Sequence, residues 1–174
     1  MIETDRLFLR IPTLDDFKPT LEMFSEEAVS RHIGHLGRGD VWARLLRDVG
    51  HWQLLQFGLF SVIERDSGIY VGKVGFGIFE RDLGRRAQTK VEVSWTFRTR
   101  FHGRGYASEA ATAAQKWFDQ RHKQNTACLI AIGNVPSIRL AQRMGYEEVD
   151  RITRDKGDAV ILMRDLSGGV SSQY

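Results

Sequence analysis

At 174 residues, 42% hydrophobic and 27% charged, the chain has the balance of a globular protein able to bury its own core, which excludes disordered and fibrous classes. Its net charge of +3 comes from 25 Lys and Arg interspersed with 22 Asp and Glu, which disfavours a nucleic-acid-binding block. One cysteine excludes an internal disulfide, and no apolar run is long enough to span a bilayer.

These features lead us to expect a cytoplasmic protein, since the opening residues also lack the basic-then-apolar pattern of a secretory signal. Cys128 lies in an apolar run and reads as a buried structural thiol, with a nucleophile as the alternative.

Residues 6–11 alternate Leu7, Leu9 and Ile11 against Arg6, Phe8 and Arg10, a strand pattern that Pro12 ends. Thr13 caps a predicted helix reaching Ser25, with Asp16 in the return position of a capping box. Residues 31–39 hold three glycines and two histidines and read as a loop. Asp40 is the expected cap of a helix over 41–56, where Trp42, Leu45, Leu46, Val49, Trp52 and Leu55 keep helical spacing; Gly50 weakens it.

Two strands, 59–64 and 69–79, flank the hairpin signal Arg65-Asp66-Ser67-Gly68. The charged loop 80–89 supplies no obvious acidic cluster. In the strand 91–97, Val91, Val93, Trp95 and Phe97 share one face, and Glu92, Ser94 and Thr96 the other. After a glycine loop comes a helix reaching His122, with Tyr106, Ala110, Ala113, Ala114 and Trp117 as its apolar stripe.

Residues 127–132 read as a strand buried on both faces. The next helix has Pro136 in its first turn and Gly145 just past its end. Strands 147–153 and 159–166 close the chain around Lys156-Gly157-Asp158. One β-α-β crossover among otherwise antiparallel strands predicts an α+β, three-layer fold rather than a doubly wound sheet. We expect one domain over residues 1–166, with 167–174 a flexible tail.

The segment Arg98-Thr99-Arg100-Phe101-His102-Gly103-Arg104-Gly105-Tyr106 lies where that crossover passes from strand to helix. Two glycines at a helix N-terminus bare backbone N–H groups, and three arginines supply counter-charge, a combination suited to phosphate. A tight turn needs glycine too, so the loop alone leaves both readings open. Around it the sequence is enriched in positive charge: Arg81, Arg85, Arg86, Lys90, Arg98, Arg100 and Arg104, opposed by Asp82 and Glu92.

Three segments in order resemble one family. They are the opening Glu3-Thr4-Asp5-Arg6-Leu7-Phe8-Leu9-Arg10 with Asp15-Asp16, the run Arg100-x-x-Gly103-x-Gly105-Tyr106-Ala107 with Glu109-Ala110, and Asn134-x-x-Ser137 followed by Met144-Gly145-Tyr146. Together they resemble the GNAT acyltransferases, specifically the ribosomal-protein N-acetyltransferase (RimJ/RimL-like) branch.

The resemblance implies a mixed, mostly antiparallel sheet with splayed parallel strands. It also implies acetyl transfer from acetyl-CoA to a primary amine by direct attack, through a tetrahedral intermediate; His32, His35 and His51 lack regular ligand spacing, so no metal is expected. The acceptor class is a protein N-terminal α-amine or a small-molecule amine, and a homodimer is compatible with the family.

Carried onto this chain, the pyrophosphate falls on Arg100, Phe101, His102, Gly103, Arg104, Gly105, Tyr106 and Ala107. The pantetheine arm falls along Trp95, Thr96, Phe97 and Arg98, where an N–H near Trp95 could also hold an oxyanion. Asn134 and Ser137 match positions touching that arm, with helix capping as the alternative.

Glu92 is the candidate base, with an arginine partner as the competing role. The tyrosine acid of many relatives is replaced here by Ala141, which leaves Tyr146 as the remaining candidate. A thiolate leaving group needs little protonation, so that loss is tolerable. Neutralising an α-amine at pH 7 costs about 1–1.5 kcal/mol against about 4.5–5 for lysine, which favours an α-amine acceptor. A non-catalytic acyl-CoA sensor is the alternative function.

Overall fold

The computed structural model describes residues 1–154 and 157–166, so Lys156 and the expected tail at 167–174 lie outside the described residues. The first strands are β1 (Ile2–Glu3) and β2 (Leu7–Arg10). After a 3-10 turn at Leu14–Asp16 come α1 (Phe17–Ser25), α2 (Glu27–Ile33) and α3 (Arg38–Leu55). Strands β3 (Leu59–Glu64), β4 (Tyr70–Ile78) and β5 (Val91–Phe97) precede α4 (Tyr106–His122) and β6 (Thr126–Ala131). The chain continues through α5 (Val135–Arg143), β7 (Glu147–Ile152) and β8 (Ala159–Arg164).

The sheet order is β1-β2-β3-β4-β5-β6-β8-β7. β5 and β6 run parallel, with Glu92 registered on Ala127, and α4 connects them. β2–β3, β3–β4, β6–β8 and β7–β8 are antiparallel, as the α+β expectation required.

Three details differ from the sequence reading. β1 is too short to carry a period and exists through its pairing of Ile2 with Leu9. The expected loop at 31–39 begins with the last turn of α2, which buries only Val29 and so shows no apolar stripe. α3 starts earlier than expected, at Arg38, and Asp40 is in its first turn rather than at its cap, with Oδ2 accepting from the Gly37 N–H at 2.8 Å. The helix runs unbroken through Gly50, where an added Cβ would meet nothing within 4 Å.

The chain divides into two compact units. The first holds residues 1–77 and 94–118. In it Met23, Phe24, Val29, Leu36, Val41 and Tyr70 form one apolar cluster, while Phe76 stacks on Phe118 at 4.0 Å between ring centres. The second holds residues 78–93 and the remainder, where Leu83, Ala127 and Ile161 pack together.

Asp16, 2% exposed, organises a polar cluster of the first unit. It accepts from Arg10 at 2.7 and 2.8 Å, from Ser61 Oγ at 2.8 Å and from the Thr13 N–H at 2.9 Å. Burial pushes its pKa up, but these hydrogen bonds outweigh burial and leave it below the ordinary value. A depressed carboxylate contributes stability above its unfolded pKa, about 3.9, and loses it as pH falls through the folded value. Asp16→Asn is therefore expected to be less stable than the parent at neutral pH. Urea titrations at decreasing pH should show the gap closing below about pH 4.

Candidate active site

The coenzyme loop expected from the sequence belongs to the first unit. β5 ends with the Arg98 N–H donating to the Val71 carbonyl at 2.9 Å, and a 3-10 turn at Thr99–Phe101 follows. That turn uses two donors internally: the Phe101 N–H reaches the Arg98 carbonyl and the His102 N–H reaches the Thr99 carbonyl, each at 3.0 Å. Of the amides expected to face an anion, those of Phe101 and His102 are therefore committed within the turn.

Gly103 and Gly105 have φ of +71° and +80°, a conformation costly for residues with a Cβ. Alternating the hand of the backbone this way makes a concave nest of N–H groups. It opens onto the first turn of α4, whose amides have no carbonyl within the helix to accept them. A Cβ on Gly103 would meet no atom within 4 Å, so this face of the loop is open.

The arginines divide by partner. Arg98 is bound to carboxylates, its Nε 3.1 Å from Glu26 and its Nη2 3.3 Å from Glu22. Glu26 also accepts the Thr99 N–H at 2.6 Å. Its pKa is raised by burial, but the bonds from Thr99 and Arg98 outweigh this and lower it. Arg98 thus fastens the strand end to the start of α2 instead of supplying free counter-charge.

Arg100 and Arg104 are exposed and, among the described residues, form no ion pair within 4 Å. Arg100 packs over the Phe101 ring at 4.9 Å, and Arg104 over Tyr106 at 5.1 Å. His102 donates through Nε2 to the Phe97 carbonyl at 2.9 Å, which commits that carbonyl and sets the ring's tautomer. Trp95 and Thr96 are half-buried, Tyr106 is buried, and Ala107 is in the first turn of α4.

The second unit holds the remaining predicted residues. Glu92, 1% exposed, is gripped by Arg81: Nε lies 2.9 Å from both carboxylate oxygens, and Nη2 also donates to one of them. Arg81 itself is 43% exposed and leans on the Phe79 ring. Beside them a cavity of about 180 Å³ is lined by Glu80, Asp82 and Glu92 together with Arg81 and Lys90. The lining is mixed in charge, since Glu80 pairs with Lys90 at 3.3 Å and Glu92 with Arg81, so the loop after β4 forms no unpaired acidic cluster.

Tyr146 is 1% exposed, and its hydroxyl shares a 2.6 Å hydrogen bond with Thr126. Burial pushes its pKa up, so the structure makes it a protonated core residue. Asn134 caps α5, its Oδ1 accepting the Ser137 N–H at 3.3 Å, which is the capping role left open above. Ala141 is fully buried. Cys128 is buried, and burial raises its thiol pKa, as expected for a structural residue.

Comparison with known proteins bears on the family and the fold. Residues 6–147 match the family described as acetyltransferase (GNAT) domain. An uncharacterized N-acetyltransferase, YnaD of Bacillus subtilis (strain 168), is 26% identical over 147 residues, covering 83% of this chain and 81% of that protein. A putative GnaT-family acetyltransferase from Bordetella pertussis is 30% identical, with a TM-score of 0.83 over 94% of this chain and 98% of that one. The aminoglycoside acetyltransferase AAC(6')-Ib, solved with coenzyme A and kanamycin, shares the fold at 17% identity and a TM-score of 0.71, covering 91% and 94% of the two chains. The nested glycines at the β5–α4 junction and a family match spanning most of the sequence lead to one conclusion: the chain belongs to the GNAT acetyltransferase family.

Proposed function

We propose that this protein moves an acetyl group from acetyl-CoA to a primary amine, as a RimJ/RimL-like member of its family acting as one domain over residues 1–166. The observation carrying the reading is the junction loop. Its two left-handed glycines offer amides at a helix N-terminus, and Arg100 and Arg104 beside them are exposed and, among the described residues, form no ion pair within 4 Å, with Glu64 as the carboxylate they act on from further away. That donor set suits a pyrophosphate and has no comparable use inside the fold. The coenzyme supplies the acetyl group as a thioester; the chain's task is to hold it and to take a proton from the amine.

Glu92 is assigned that proton. Both of its oxygens accept from Arg81, so it acts as base only once the guanidinium releases one of them. An acceptor amine arriving as a cation is suited to displace Arg81. Energetics favours an α-amine, which needs about 3.5 kcal/mol less than a lysine side chain to become neutral at pH 7. A small-molecule amine is the second acceptor class.

The test is release of free thiol from acetyl-CoA over a panel of peptide N-termini, lysine side chains and small polyamines. We expect release with α-amines to exceed that with isolated lysine side chains at pH 7. Tight coenzyme binding without release on any amine would instead identify a sensor.

A further inference from the structure

We propose that Arg6, ninety-odd residues from the loop in sequence, is a positioning residue that sets the orientation of the Arg104–Gly105 peptide; the proposal rests on reading this loop as the coenzyme's pyrophosphate seat. Arg6 lies in the opening segment of the resemblance and carries no assigned role there, yet its side chain touches three parts of the junction. Nη1 donates to the Arg104 carbonyl at 2.9 Å. Nε donates to Glu109 Oε2 at 2.7 Å, in the first turn of α4. The guanidinium carbon lies 4.4 Å above the Tyr106 ring.

Glu109 is fastened to the same segment a second time. Its Oε1 accepts from Thr4 Oγ1 at 2.6 Å and from the Arg6 N–H at 3.0 Å.

The consequence follows from peptide geometry. In a planar trans peptide the carbonyl and the N–H point to opposite sides. Holding the Arg104 carbonyl toward Arg6 therefore turns the Gly105 N–H away from it, to the opposite side of the loop. Gly105 tolerates either sign of φ, so nothing intrinsic to the loop prevents this peptide from flipping. The Arg6 hydrogen bond supplies the restraint. Glu109 keeps the guanidinium in place, and Thr4 helps keep Glu109 in place.

Lysine cannot reproduce the arrangement, because a single ammonium lacks the fork that reaches carbonyl and carboxylate together. The test compares Arg6→Met and Arg6→Lys with Arg65→Met. Arg65 holds the N-terminal segment from elsewhere, by donating to the Thr4 carbonyl at 2.9 Å. Calorimetric titration with coenzyme A is the readout, with steady-state kinetics alongside.

Arg6→Met should raise the coenzyme dissociation constant about tenfold, the lower end of what one charge-assisted hydrogen bond is worth, with acceptor KM unchanged. Arg6→Lys should recover only part of that loss, and it also serves if the methionine variant folds poorly. Arg65→Met should bind coenzyme normally. Unchanged affinity in both Arg6 variants, or an equal loss in Arg65→Met, overturns the positioning role. Failure of the parent protein to bind coenzyme A overturns the pyrophosphate reading itself.

Discussion

Glu92→Gln is expected to lower kcat roughly a hundredfold, the usual worth of a positioned base, while leaving coenzyme affinity within about twofold. The substitution keeps the shape of the side chain and one acceptor for Arg81, but an amide cannot take a proton from the amine. Its stability effect is separable. Glu92 is 1% exposed, so the buried amide loses part of its pairing and costs about 1–3 kcal/mol, readable by urea denaturation. Arg81, 43% exposed, can return to water, so the larger penalty of an abandoned buried cation does not arise. A rate unchanged between about pH 6 and 9, where an α-amine titrates, would assign Glu92 to the ion pair alone.

Gly103→Val is expected to raise the dissociation constant for coenzyme A at least tenfold, about 1.4 kcal/mol or more. Two effects act together. The valine Cβ would project where no protein atom lies within 4 Å, into the open face of the nest. A β-branched residue at φ near +71° is also strained, which draws the loop away from its present conformation. Neither effect touches the core, so the melting temperature should fall by only a few degrees. Titration calorimetry checks the affinity, and coenzyme binding equal to that of the parent would remove the loop from the site.

Much of the architecture was legible because it rests on local chemistry. Alternation located β5, and Pro136 with Gly145 bracketed α5, since those signals need no distant partner. The glycine pair was equally plain, because the left-handed conformations it adopts are written into the residue type. Elements held by pairing alone were missed. β1 has no period to read, and α2 buries one side chain.

The site divides along the same line. The sequence by itself placed two glycines and the candidate counter-charges Arg98, Arg100 and Arg104 at one strand-to-helix junction. Only the tertiary structure separated them, because Glu22 and Glu26 reach Arg98 across more than seventy residues. It also gave Glu92 its Arg81 partner and gathered Glu80, Asp82 and Glu92 around one cavity.

The opening segment and Glu109 both belong to the resemblance, and nothing in their spacing explains why they occur together. Folded, they are the two ends of one hydrogen-bonded cluster behind the Gly103–Gly105 loop. Residue type determines what a backbone can adopt and which charges are on offer. Which charges neutralise one another depends on distances that only the packed chain sets, and that selection leaves Arg98 ion-paired and Arg100 and Arg104 exposed.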